Sequence, residues 1–162
     1  MLCSTSEWLS GLSPGGDAFW LGGGLVTIRV PGELTGNALA IVEFLVPADF
    51  VAPRQLHHVE DVILFVLEGE IAARCGNERL SGGPGVAFFL PRGIAHTWWA
   101  AGEAGARLLM VTTPAGYERY CAEAGVPAPE RILPDGAGAA ARAAALRAAA
   151  PRYGIELEPA GE

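Results

Sequence analysis

Between residues 25 and 113 the chain is a succession of short apolar segments rich in β-branched and aromatic residues. Gly, Pro, Asn or Asp closes each segment at intervals of roughly eight to twelve residues, the spacing of an antiparallel sandwich or barrel. The pattern predicts strands over residues 25–30, 38–46, 57–58, 62–67, 70–75, 78–80, 85–90, 96–99 and 107–112. Turns fall at Pro31-Gly32, Gly76-Asn77 and the glycines from Gly82 to Gly85, where Gly and Asn supply the positive φ that tight hairpins need.

After Pro114 the period changes. Tyr117, Tyr120, Cys121 and Ala124 recur at three- and four-residue spacing, which predicts a short helix stopped by Gly125 and Pro127. Residues 137–150 are alanine-rich and carry Arg142, Leu146 and Arg147, so intrinsic propensity favours a second helix, although Gly136 and Gly138 weaken its start. Such a helix serves either as a terminal patch on the barrel or as a lid or dimer contact. The organisation read from the pattern is one domain over 1–162, with a barrel at about 22–113 and a helical extension at about 114–162.

Composition narrows the function classes. Apolar residues are 51% of the chain and charged residues 18%, which suits a packed globule rather than a disordered one. A formal net charge of −7 with no basic run argues against nucleic acid and against an anionic membrane surface as partners. All 11 basic residues are Arg, so Schiff-base and P-loop lysine chemistry are excluded. Cys3, Cys75 and Cys121 are too widely spaced for a CxxC site and odd in number, so reduced thiols in a cytoplasmic protein are expected. The first residues carry no charged start followed by an apolar run, and no stretch approaches the roughly 18 apolar residues of a membrane span.

One segment carries most of the chemical information. Gly85, five residues, Pro91-Arg92-Gly93, two residues and His96 form a strand, a tight turn and a return strand that opens on an inward histidine. This arrangement resembles the second conserved motif of the cupin superfamily, with Ala100 standing where that motif usually ends in Asn. The resemblance extends over roughly residues 25–125, and the PAGYERYCAEAG tail together with Tyr153-Gly154-Ile155 looks like the extension of bacterial quercetinase-like cupins. It implies an all-β double-stranded β-helix, a jelly-roll barrel, with C-terminal helices.

The first cupin motif is depleted. Anchored on Gly69 and the preceding Val66-Leu67-Glu68, the usual carboxylate position falls on Val62, the second His on His57 and the first His on Gln55. Taking His58 as the second ligand puts Leu56 first and still leaves Val62 in the carboxylate place. Glu60 would reach inward only if the turn between the two motif strands were rebuilt. Of the four ligands of a complete site, only His57, His96 and the neutral Gln55 oxygen remain, and loss of the anionic donor removes charge neutralisation as well. The expectation is no cofactor, with a weakly held divalent metal such as Fe, Mn, Ni or Zn as the alternative.

Without metal, two imidazoles facing each other in an apolar pocket suit general acid and base roles. Gln55, Val62, Leu64, Val66, Phe88 and Trp98 are expected to line that pocket, with Trp99 turned outward by the strand period of two and His58 a solvent-facing neighbour of His57. The bland reading of both histidines is a leftover barrel pair, and Trp98 serves equally well as core packing. Arg29 and Glu43 lie in otherwise apolar strands, so each is either outward-facing or part of the site, where Glu43 would orient the histidines and Arg29 would contact substrate. Cys75 reads as a small buried residue rather than a nucleophile.

The leading expectation is a cupin enzyme of bacterial secondary metabolism that cyclises, isomerises or dehydrates a hydrophobic, aromatic or polyketide-like substrate through His57, His96 and Glu43. The alternatives are a quercetinase-like metal-dependent dioxygenase and a barrel that only binds a small molecule. A homodimer is expected, because the exposed strand edges of an open sandwich need covering.

Overall fold

The computed structural model describes residues 16–159. Cys3 and the N-terminal residues read above for a leader lie outside the described residues. Ten strands form the body: β1 (Ala18–Leu21), β2 (Gly24–Val30), β3 (Ala40–Val46), β4 (Gln55–His57), β5 (Asp61–Glu68), β6 (Ile71–Cys75), β7 (Glu78–Gly82), β8 (Ala87–Leu90), β9 (His96–Ala100) and β10 (Ala106–Thr113). Helix α1 (Tyr117–Ala124) follows, then β11 (Val126–Pro127), helix α2 (Ala139–Ala149) and β12 (Ile155–Leu157). Among the described residues, no helix is long and apolar enough to cross a membrane.

All strand pairs are antiparallel, in one sheet ordered β11-β1-β2-β3-β10-β5-β8 and a second ordered β12-β4-β9-β6-β7. This is the all-β jelly-roll barrel with C-terminal helices that the resemblance implies, and the antiparallel arrangement that the apolar pattern predicts. The nine predicted strands all form, with ends shifted by one or two residues. Three short strands outside the predicted set extend the sheets: β1 and β11 continue the larger sheet beyond β2, with β11 at its edge, and β12 forms an edge of the smaller by pairing Ile155 with His57 and Leu157 with Gln55.

Alternation decides what enters the core. In β3, Val42, Phe44 and Val46 are buried, and in β5 Val62, Leu64 and Val66 are fully buried. Leu108 and Met110 of β10 and Leu90 of β8 meet them from neighbouring strands. At about 25 cal/mol per Å² these close-packed aliphatic side chains supply the main stabilisation of the barrel. The opposite face of the same sheet is unusually apolar, with Ile41, Val111, Ile63 and Phe89 aligned in one cross-strand row and Leu109 beside Phe65 in the next.

The helices close one side of the barrel. Tyr120 of α1 donates its hydroxyl to the Leu146 carbonyl of α2 at 3.2 Å. Arg142, 6% exposed, donates to the carbonyls of Gly22, Ala137 and Asp135 at 2.7, 2.7 and 2.9 Å, and so clasps α2 to the β1–β2 turn. Glu118, also buried, accepts from the backbone N–H groups of Gly32 and Gly116 and anchors the start of α1.

Candidate functional site

Short strand β4 places Gln55 and His57 on its inward face, and the register pairs Gln55 with His96 at the start of β9. His96 is brought there by the Pro91-Arg92-Gly93 turn, in which Gly93 takes a φ of +78° and donates its N–H to the His57 carbonyl at 2.8 Å. The two imidazoles, each 1% exposed, stack with centroids 5.3 Å apart and planes 12° apart. The Tyr117 ring packs tilted against His57, with centroids 5.8 Å apart.

Glu60 completes this cluster. Simple alternation from His57 would turn Val59 inward and Glu60 out, but the chain bends at His58 and Val59. The His58 N–H donates to the Gly154 carbonyl at 2.9 Å, Val59 becomes exposed, and Glu60 folds into the interior at 2% exposure. His57 Nδ1 then donates to Glu60 Oε2 at 2.9 Å, while His57 Nε2 meets Gln55 Oε1 at 3.0 Å. A carboxylate accepts only, so this contact makes Nδ1 the protonated nitrogen and orients the ring; Nε2 of the neutral ring is then an acceptor, which the Gln55 carboxamide satisfies with its NH2 turned toward it in place of its oxygen. Gly116, with φ of +150°, lies so close that a Cβ there would stand 3.1 Å from Glu60 Oε1.

His96 is a contrast. Among the described residues, neither of its ring nitrogens has a hydrogen-bond partner of good geometry, although the Ile94 backbone lies near enough to favour its charged form slightly. Burial, reinforced by the neighbouring His57, lowers its pKa to about 4, so His96 is neutral near pH 7. Burial pushes the Cys75 and Cys121 thiols up, which leaves neither poised as a thiolate.

A mostly apolar cavity lies beside the cluster, between the barrel and the helices, with a volume of about 240 Å³. Gln55, Trp98 and Phe44 form its barrel wall, Tyr117 and Tyr120 come from α1, and Ala139, Ala143 and Leu146 from α2. Trp98 is locked by Phe44 and Phe50, with ring centroids 5.3 and 4.9 Å away. Neither His57 nor His96 lines the cavity; Gln55 stands between His57 and the open space.

Several expected site residues lie elsewhere. Glu43 is not beside the histidines: it sits between inward Val42 and Phe44, so its carboxylate emerges on the outer face and pairs with Arg29 at 2.9 Å and Arg107 at 3.1 Å. Arg29 is likewise on that outer face rather than in a pocket. Val62, Leu64, Val66 and Phe88 do point inward, but they pack against one another in the barrel core and do not line the cavity. Trp99 faces out beneath the Arg79 guanidinium at 5.4 Å, and His58, half exposed, pairs with Glu156 at 3.1 Å. Glu60, which the sequence admits to the interior only with a rebuilt turn between the motif strands, is there; the residues missed were Phe50 and the helix side chains, for which the apolar spacing of Tyr117, Tyr120 and Leu146 was the available signal.

A divalent metal does not fit the side chains present. Both His57 nitrogens are engaged by Glu60 and Gln55, and valine methyls occupy the carboxylate position. Among the described residues, no group of three His, Cys, Asp or Glu is gathered closely enough to hold an ion.

Comparison with known proteins agrees with this architecture. Residues 42–112 match the cupin domain family. The chain superposes on a RmlC-like cupin from Shewanella frigidimarina at 17% identity and a TM-score of 0.56, covering 67% of this chain and 94% of that one. KdgF from Halomonas sp. gives 21% identity and a TM-score of 0.53, over 60% and 84% of the two chains. Oxalate decarboxylase from Bacillus subtilis gives 21% and 0.54, over 62% of this chain and 27% of that enzyme. Identities this low establish the cupin β-barrel fold alone. No curated protein matches the sequence.

Proposed function

We propose that this cupin-fold chain is an enzyme that rearranges a hydrophobic, aromatic or polyketide-like small molecule without oxidation, by cyclisation, isomerisation or dehydration. The observation that carries the reading is the hydrogen-bonded line Glu60–His57–Gln55, whose last member forms part of the cavity wall. Glu60 holds His57 in one orientation, with Nε2 directed toward the residue that a bound molecule would touch. When the Gln55 carboxamide gives up its 3.0 Å contact to a ligand, Nε2 is the group that exchanges a proton with it. His96 stays uncharged beside the ring and supplies a flat packing surface. Glu43 has no part in this scheme.

A second reading is a barrel that binds a small molecule without transforming it. The separation of both imidazoles from the cavity favours it. The dioxygenase alternative finds no support in the donor set.

The test is a turnover screen of aromatic and polyketide-like compounds with product detection by chromatography and mass. Products of unchanged mass, or of mass lowered by one water, that disappear in His57→Ala while ligand still quenches Trp98 fluorescence support the enzyme. Binding without turnover in the wild type supports the binder. About one metal per chain after incubation with Fe, Mn, Ni or Zn, lost in His96→Ala, would overturn both in favour of metal chemistry.

A further inference from the structure

We propose that Tyr117 is a catalytic residue whose hydroxyl donates to the carbonyl oxygen of the ligand, and that the substrate is a neutral ketone with hydrogen on the carbon next to that carbonyl. The inference rests on the enzyme reading above and supplies its substrate class and its second reacting side chain.

The donor is found by elimination. Four side chains with polar atoms line the cavity: Gln55, Trp98, Tyr117 and Tyr120. Trp98 Nε1 is fully enclosed, and the Tyr120 hydroxyl is committed to the Leu146 carbonyl. Gln55 is engaged with His57. The Tyr117 hydroxyl has neither constraint: it is not one of the enclosed polar atoms, and among the described residues it makes no hydrogen bond. Burial raises its pKa well above the ordinary tyrosine value, so it keeps its proton at neutral pH and acts as a donor.

Its place in the fold sets it beside the base. Tyr117 opens α1 immediately after Gly116, the residue packed against Glu60. Its ring is tilted against His57 at 5.8 Å between centroids, with Tyr120 at 5.4 Å and Phe44 at 6.5 Å as its other aromatic neighbours. The cavity wall therefore offers a path to His57 from the strand side, through Gln55, and a proton donor from the helix side. No lining residue carries a charge, so a substrate that enters as an anion would be desolvated against no cation.

A base and a donor so placed suit proton transfer next to a carbonyl. His57 Nε2 takes a proton from the carbon beside the carbonyl, the C–H electron pair becomes the C=C bond of an enolate, and the negative charge passes to the oxygen that Tyr117 holds. Glu60 balances the imidazolium through Nδ1. Return of the proton at a conjugated carbon gives an isomer of the same mass, with no oxidant, reductant or second substrate.

The experiment uses allyl phenyl ketone, follows its conversion to the conjugated propenyl phenyl ketone by absorbance, and takes but-3-enylbenzene as the binding control that lacks the oxygen. Tyr117→Phe keeps the ring and deletes an oxygen with no protein partner, so the melting temperature should hold or rise. By tryptophan quenching, the variant is expected to bind the ketone about fivefold more weakly and the hydrocarbon within about twofold of wild type. Its rate constant at saturation should fall about a hundredfold, far more than its affinity, because the hydrogen bond strengthens as the oxygen becomes charged. His57→Ala should lose the isomerisation and keep the affinity difference between ketone and hydrocarbon. An equal change in affinity for the two compounds in Tyr117→Phe, a rate constant within about threefold of wild type, or no binding of the ketone to the wild type would overturn the inference. A wild type that binds the ketone through Tyr117 without isomerising it would overturn the enzyme reading, and the catalytic step with it, while Tyr117 stands as the ligand's donor.

Discussion

Glu60 reaches His57 from three residues downstream, its Oε2 accepting from Nδ1 at 2.9 Å with both side chains at most 3% exposed. Breaking this contact from one side leaves a buried N–H without an acceptor. Glu60→Leu is expected to cost about 1–3 kcal/mol in urea unfolding and to let the His57 ring lose its single tautomer, visible in imidazole ¹⁵N shifts. Glu60→Gln, which keeps an acceptor oxygen, should cost less in stability and still reduce turnover.

His96 makes the fold sensitive to acid. Its folded pKa of about 4 lies below the ordinary histidine value of 6.5, so between these pH values the unfolded chain binds the extra proton. Stability from this residue is therefore full above pH 6.5 and falls as pH drops toward 4. The loss should be on the order of 2 kcal/mol between pH 6.5 and pH 5. Denaturation of wild type and His96→Phe at pH 7 and pH 5 checks this: the wild type should lose more on acidification by about that amount.

Arg142 holds α2 through three carbonyl oxygens. Arg142→Met keeps much of the apolar stem and deletes the guanidinium, leaving the Gly22 carbonyl without this donor. Amides of Ala139–Ala149 are expected to exchange at least about tenfold faster, a change of about 1.4 kcal/mol in local opening, while those of β5 and β10 keep wild-type protection. Equal acceleration throughout would show that the helix and barrel open as one unit.

The outer face of the larger sheet leaves Phe89 59% and Phe65 37% exposed, in register with Ile63 and Leu109. Arg107, Glu43, Arg92 and Asp61 stand around these residues, so both signs of charge are available to a copy related by a twofold axis. A homodimer across this face is the proposed assembly. Light scattering should report a dimer at micromolar concentration and a monomer for Phe89→Glu, with unfolding stability of the monomer changed by no more than about 0.5 kcal/mol. A monomeric wild type would refute it.

What the sequence determined on its own was whatever depends on neighbours a few residues apart. Alternating burial set β3, β5, β9 and β10 and sent Trp98 and Trp99 to opposite faces; the Pro91–Gly93 turn put His96 at the start of its strand; three- and four-residue spacing marked α1. The same local rule failed at Glu60. Glu60 turns inward because the chain bends at His58-Val59 against Gly154, almost a hundred residues away, and no local period contains that contact. Glu43 found Arg107 on a strand far along the chain, which resolved outward a charge that the sequence left open. The cavity was decided entirely by tertiary structure. It is bounded by strands on one side and by α2 on the other, so its volume, its uncharged wall and its separation from the histidines came into being only when Arg142 and Tyr120 docked that helix.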